Sequence, residues 1–183
     1  MKIIGIDPGL DGGITIMENG EIKEVHSMPI YSVTTKKKLK SGKYQIQRHI
    51  DAYTFADILF KHKDATIYME SVNPFAGMGS ASSTRMAISI GRLEGAMAAM
   101  GFKWKQVTPK AWQKVLWISD DYIDRTKVDK TVNQSKTDTK KTSSNAASRI
   151  FPGYNFIPDG KRAPHDGWFD SALIAEFGNR SEK

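Results

Sequence analysis

MKIIGIDPGLDGGITIMENGEIKEVHSMPI (Met1–Ile30) is the stretch that decides the fold. MKIIGID is a short apolar strand ending in an acid, Asp7. PGLDGG is a turn, because proline and glycine supply its backbone angles. ITIMENGEIKEVHSMPI reads as a hairpin, two β-rich runs joined at Glu18-Asn19-Gly20, and Asn-Gly is a strong two-residue turn signal. Three antiparallel strands therefore open the chain.

Beyond them the pattern changes to alternation. A lysine-rich loop is followed by a helix over roughly Gln45 to Lys61, spaced on Ile46, Ile50, Tyr53, Ala56 and Leu59. ATIYME (Ala65–Glu70) is a fourth strand, again ending in an acid. SVNPFAGMGSASS is a Gly/Ser-rich loop, and Ser82, Ser83 and Thr84 are cap candidates for a long helix to about Met100. Gly91 and Gly95 inside that helix cost about 1 kcal/mol each relative to alanine and suggest close approach of another backbone. FKWKQV is a fifth strand. TPKAWQKVLW is a short helix with Thr108 as N-cap and Pro109 at its first position. Ile118 to Thr137 has no clean period and is expected to be a mobile insertion. DTKKTSSNAASRIFPG is a helix stopped by Pro152-Gly153, and the last helix starts near Asp166. A meander followed by alternating elements predicts an α/β fold: a mixed five-stranded sheet, three antiparallel strands then parallel additions, flanked by helices. No repeat or linker interrupts it, so residues 1–183 are expected to form one domain.

Composition narrows the function. Among 183 residues, 27 are Lys or Arg and 20 are Asp or Glu, a net charge of +7, which points to a polyanionic partner, usually nucleic acid. The excess is clustered. Lys36, Lys37, Lys38, Lys40, Lys43 and Arg48 surround a glycine, and Arg125, Lys127, Lys130, Lys136, Lys140, Lys141 and Arg149 form a second group. Cationic loops suit phosphate contacts, which need charge more than fixed geometry. No apolar run approaches a transmembrane length, and an acid follows Met1 too soon for a secretory signal. A cytoplasmic, membrane-free protein is expected. There is no cysteine, hence no disulfide or cysteine-ligated zinc.

Four acids share one kind of context. Asp7 and Glu70 end strands, and Asp166 and Asp170 stand four apart in APHDGWFDSAL (Ala163–Leu173), on one face of the last helix. Such a cluster is repulsive without a cation. Mg²⁺ resolves the conflict, since it takes oxygen ligands and pairs a few carboxylates with phosphate and water. Two such ions clamp the attacking and leaving oxygens of a phosphoryl displacement. Taken singly, Asp166 also fits a helix N-cap, Asp170 a solvated acid, and His165 a local hydrogen-bond partner. The opening GIDPGLDGG also fits the phosphate hairpin of an actin-like ATPase, but 183 residues leave no room for the second hairpin and the adenosine site. No nucleotide cofactor is expected.

IIGIDPGLDGGITI, IYMESV, GRLEGAM, VTPKAWQKVL, KKTSSNAASRIFPG and HDGWFDSALIAEFG come in the order found in RuvC-like Holliday junction resolvases, which the chain resembles over nearly its whole length. The phage and chloroplast-type branch is most similar, with a last motif of His-Asp-Gly-x-x-acid and acids four apart. The bacterial RuvC branch usually spaces that pair three apart, a departure that leaves Asp166 as the better partner for Asp170. The resemblance implies an RNase H-like fold, a homodimer, and paired nicking of four-way DNA junctions with two Mg²⁺ or Mn²⁺ ions per site, in a bacterial cell or from a phage gene. It implies Asp7, Glu70, Asp166 and Asp170 as the catalytic, metal-binding acids, and Lys140 or Lys141, at the start of the preceding helix, as the lysine near the scissile phosphate. DNA contacts are expected from Lys36, Lys37, Lys38, Lys40 and Lys43, from Ser82, Ser83 and Arg85 at the long helix's start, and from Phe75 as a wedge or stacking group. Rival readings are an RNase H-like nuclease acting on RNA/DNA hybrids or branched and flap DNA, which would share all four acids, and a junction-binding protein that does not cut.

Overall fold

The computed structural model describes residues 1–73, 78–123 and 138–183. In chain order it runs β1 (Lys2–Asp7), β2 (Gly13–Glu18), β3 (Glu21–Ser27), β4 (Ile30–Lys38), β5 (Tyr44–Ile50), α1 (Ala52–Phe60), β6 (Thr66–Glu70), α2 (Ser80–Ala99), β7 (Trp104–Val107), α3 (Pro109–Leu116), a 3-10 turn (Ser119–Asp121), α4 (Thr139–Ile150) and α5 (Asp166–Ser181). The main sheet has the order β3-β2-β1-β6-β7. β1, β2 and β3 are antiparallel, while β6 and β7 add in parallel. The hairpin after β2 places Asn19 at φ 53° and Gly20 at φ 86°, the paired positive angles that match strand twist.

Alternation along the strands divides the interior in two. Ile4, Ile6, Ile14, Ile16, Ile67 and Met69 pack under Phe55 and Leu59 of α1 and Leu93 and Met97 of α2. Ile3, Met17 and Tyr68 point the other way, against Trp112 of α3, Ala146 of α4 and Phe169 and Leu173 of α5. α5 lies directly on the backbone of β1 and β2. A Cβ on Gly5 would overlap the Ser171 carbonyl oxygen and the Ala175 nitrogen, and one on Gly167 would overlap the backbone of Gly12. The buried hydroxyls of Thr15 and Ser171 bond at 2.8 Å across the same seam.

Three expectations are corrected. Tyr44–Ile50 is a strand, not a helix start; with β4 it forms a separate antiparallel ribbon. The apolar spacing of Ile46, Ile50 and Tyr53 straddled two elements, and the helix begins only after Asp51, whose carboxylate accepts from the amides of Tyr53 and Thr54. Lys36, Lys37 and Lys38 therefore sit on a strand rather than in a loop. The long helix starts at Ser80 behind Gly79, so Ser82, Ser83 and Thr84 are inside it, not its caps. The insertion expected from Ile118 begins as an ordered turn, in which Asp121 is buried and bonded by Arg149. Its later part, with Arg125, Lys127, Lys130 and Lys136, lies outside the described residues, as does Phe75. Thr108 and Pro109 stand where expected, although the Thr108 side chain makes no cap bond. No described helix is long and apolar enough to cross a membrane.

Candidate active site

Strand parity decides where the acids point. Asp7 shares a face with Ile3 and Gly5, and Glu70 shares one with Tyr68; both faces look toward α5. β1 and β6 pair in parallel with Ile6 beside Met69, so Asp7 and Glu70 end neighbouring strands at the same level. The close seating of α5 brings Asp170 to them. Its carboxyl feels the charges of Asp7, Glu70 and Asp166 together.

Three of the four acids are half-buried. Burial pushes the Asp7 carboxyl up to about 6, opposed by the Gly9 amide that donates to Oδ1 at 3.1 Å. Burial also pushes Glu70 to about 7, opposed by the Trp112 indole N–H, which donates to Oε1 at 2.8 Å; the Asp7 charge adds to the rise. Asp170 rises to about 7 by burial first, with Ser143 of α4 opposing and the other acids adding. Its Oδ1 is buried and has no hydrogen-bond partner among the described residues. Groups that titrate near neutrality can exchange protons with a substrate or take up a cation in their place.

Asp166 is different. It is the first residue of α5, with His165 at the N-cap position, so it is not the cap. It is half exposed and accepts from Lys140 Nζ at 2.6 Å. That bond, before the charges of Asp170 and Asp11, raises the Lys140 pKa and keeps the ammonium charged. Lys141 is exposed; its amide bonds to the capping Asp138 and its side chain forms no ion pair among the described residues. The Nδ1 of His165 is buried without a partner among the described residues.

Some expected contacts fall apart and others emerge. The amides of Ser82 and Ser83 already bond to the Gly79 carbonyl, so they are not open to a phosphate. Arg85 is exposed and bonds to the Ser82 hydroxyl at 3.3 Å, on a cleft of about 270 Å³ shared with Asp11, Arg48 and Ser89. Sequence reasoning did not assign Trp112, Ser143 or Asp11 to the site. Trp112 and Ser143 carry no local signal, since their partners are 42 and 27 residues away. Asp11 stands in the Gly-rich turn already noted, but its bidentate Arg48 partner, at 2.6 and 2.9 Å, comes from the ribbon.

No family model and no curated protein matches the sequence. Among solved structures, T. thermophilus RuvC in complex with a Holliday junction substrate matches 100% of this chain and 97% of its own, at 12% identity and a TM-score of 0.54. A second Thermus thermophilus RuvC structure matches over the same shares, at 13% identity and a TM-score of 0.52. The architecture is thereby defined: a mixed five-stranded α/β sheet flanked by helices. Within it the fold is that of RuvC, which bears out the resemblance read from the motifs at the level of the fold.

Proposed function

We propose that this chain is a divalent-metal-dependent endonuclease that resolves four-way DNA junctions by paired nicks. The observation that carries the reading is the meeting of two strand-end acids, Asp7 and Glu70, with Asp170 under a tightly seated α5. They stand on the fold of a protein solved with a Holliday junction. Lys140, paired with Asp166 beside them, supports a phosphate substrate.

The donor set fits Mg²⁺ or Mn²⁺. All donors are carboxylate oxygens, partial burial disfavours the ionisation of three, and Asp170 Oδ1 is a buried acceptor with no partner among the described residues. As placed, no three such side chains among the described residues are arranged to hold an ion, so the carboxylates would have to draw together around one. Asp7, Glu70, Asp166 and Asp170 would hold the ions, two per site. Bound metal supplies an activated water and charge stabilisation at the phosphate.

The chain's own residues do the rest. Asp7 is oriented by the Gly9 amide and Glu70 by the Trp112 indole, which limits how far either carboxylate must turn when substrate arrives. Lys140 holds a positive charge at the exposed edge of the cluster, where it can trade Asp166 for a phosphate oxygen. Lys141, next to it, is a weaker candidate for that role. Lys36, Lys37, Lys38, Lys40, Lys43 and Arg85, exposed on the ribbon and α2, supply phosphate contacts.

A homodimer would present two such sites to one junction. Among the described residues, nothing outside their own helix comes within 4 Å of a Cβ built on Gly91 or Gly95, so this face of α2 is open to a second copy. Ile88 is exposed beside them, and a cleft of about 240 Å³ runs along Met86, Ile90 and Gly91. Sedimentation should show a dimer at micromolar concentration; a monomer with and without junction would exclude it.

The deciding assay offers a synthetic four-way junction, a matched duplex and an RNA/DNA hybrid, each with and without Mg²⁺. Symmetric nicks in the junction alone, only with metal, are expected. Cleavage of the hybrid instead would make this a ribonuclease, and binding without any cleavage would make it a junction-binding protein.

A further inference from the structure

The β4–β5 ribbon contributes little to either core. Only Ile50, at its base, is buried, and the base is held by Arg92 of α2, which donates to the Ile50 carbonyl at 3.2 Å and lies over the Tyr31 ring. The rest projects. Residues 28–50 contain five lysines and Arg48 and no acid, so the segment is a cationic arm without internal neutralisation.

Its two faces differ. The ladder pairs Ser32 with Arg48, Thr34 with Ile46 and Lys38 with Tyr44, and directly paired residues share a face. Arg48 reaches from that face to Asp11, in the turn whose Gly9 amide holds Asp7. The face therefore starts at the catalytic turn and runs outward along Thr34, Ile46, Tyr44 and Lys38. Ile46 is 64% exposed and Tyr44 51%, with the Lys38 ammonium 5.6 Å from the Tyr44 ring centre. Water-facing apolar groups set among uncompensated lysines match a surface that is apolar at base and sugar edges and anionic at its rims. A two-stranded ribbon is also of a width that the major groove of duplex DNA admits.

We propose that the Arg48-bearing face of the ribbon is the track along which a DNA duplex arm leaves the active site. Lys38, Lys40 and Lys43 contact phosphates, and Tyr44 and Ile46 lie against the groove. Arg48 is a positioning residue that fixes the track to the catalytic turn. The direction of the arm rests on the nuclease reading; the duplex contact does not.

The test is run in chelator, so cleavage plays no part, by titrating labelled duplex and labelled four-way junction at several salt concentrations. In Lys38→Gln/Lys40→Gln/Lys43→Gln the slope of log K against log salt should shrink by up to about 0.9 per contact, or roughly 2 to 3 in all, on both DNAs. In Tyr44→Ser/Ile46→Ser the slope should stay and affinity should fall about tenfold at every salt, as loss of apolar and stacking contact does. Thermal melts matching the parent show that both variants are folded. An unchanged slope in the first variant, or unchanged affinity in the second, overturns the proposal. So does a second variant that binds duplex normally but loses self-association, which would make the face a contact between copies. Absence of junction cleavage by the parent in the separate Mg²⁺ assay, with both binding effects intact, would sink the nuclease reading and leave the duplex contact standing.

Discussion

The α5 seam and the β4–β5 ribbon are built on opposite principles. At the seam, backbone lies on backbone: Gly5 and Gly167 leave no room for a methyl group, and partial burial pushes three carboxylates toward their neutral forms. On the ribbon, almost every side chain is in water, the charges are all of one sign, and the fold asks for little beyond Ile50. Chemistry needs groups held to a fraction of an ångström, which only close packing supplies. Grip on a polyanion needs charge at reach, which an exposed ribbon supplies without disturbing a core.

The largest expected effect breaks the seam. Gly5→Ala should cost more than about 3 kcal/mol, because the methyl group meets the α5 backbone rather than a side chain that can turn away. Denaturant titration measures it, and a parent-like midpoint would mean α5 is not seated as described. Asp7→Asn comes next, with the fold kept. It should slow junction cleavage by roughly 10³-fold or more while binding persists or tightens as repulsion falls. Near-normal nicking by a clean preparation removes Asp7 from the chemistry.

A third comparison separates neighbouring lysines. Lys140→Gln should lower the cleavage rate about 10² to 10³-fold, as loss of one preorganised charge donor does, whereas Lys141→Gln should stay within a few-fold. The reverse ranking in single-turnover kinetics would hand the role to Lys141.

Protons probe the seam without mutation. In chelator, Asp7, Glu70 and Asp170 hold protons up to about 6 to 7, whereas the unfolded chain releases them near 3.8 to 4.5. Between these limits the folded state binds more protons, so their contribution makes stability fall as pH rises from about 4 to 7 and level off above. A cation replaces those protons. Mg²⁺ should therefore raise the melting temperature at pH 8 and hardly at pH 5. A shift of the same size at both pH values would place the ion elsewhere. The smallest effect belongs to the ribbon: Lys36→Gln/Lys37→Gln/Lys38→Gln should leave stability within about 0.5 kcal/mol, and a larger loss by the same melts would show that the ribbon is part of the core.

Much of this was legible because it depends on local rules. Alternation and an Asn-Gly turn specified the meander, Pro109 marked a helix start, and Pro152-Gly153 marked a stop. The ribbon's second strand was misread although its signal was present: Tyr44-Gln45-Ile46-Gln47 alternates. The accidental helical spacing of Ile46, Ile50 and Tyr53 across Asp51 outweighed it. The cap at the long helix was misplaced because four hydroxyl residues compete there and Gly79 takes the position with no side chain at all.

By itself the sequence determined the order and kind of most elements, the acids at two strand ends, the pair four apart on the last helix, and the cationic arm. Each of these follows from residue type and short-range period. Only the tertiary structure decided that α5 lies on Gly5 and Gly13, that Trp112 turns its N–H to Glu70, that Lys140 rather than Lys141 meets Asp166, and that Arg48 ties the ribbon to Asp11. Those contacts join residues from 26 to 170 positions apart, as Lys140 with Asp166 and Gly5 with Ala175. They are fixed by which face of each element is free once the sheet has closed, and no local period records that.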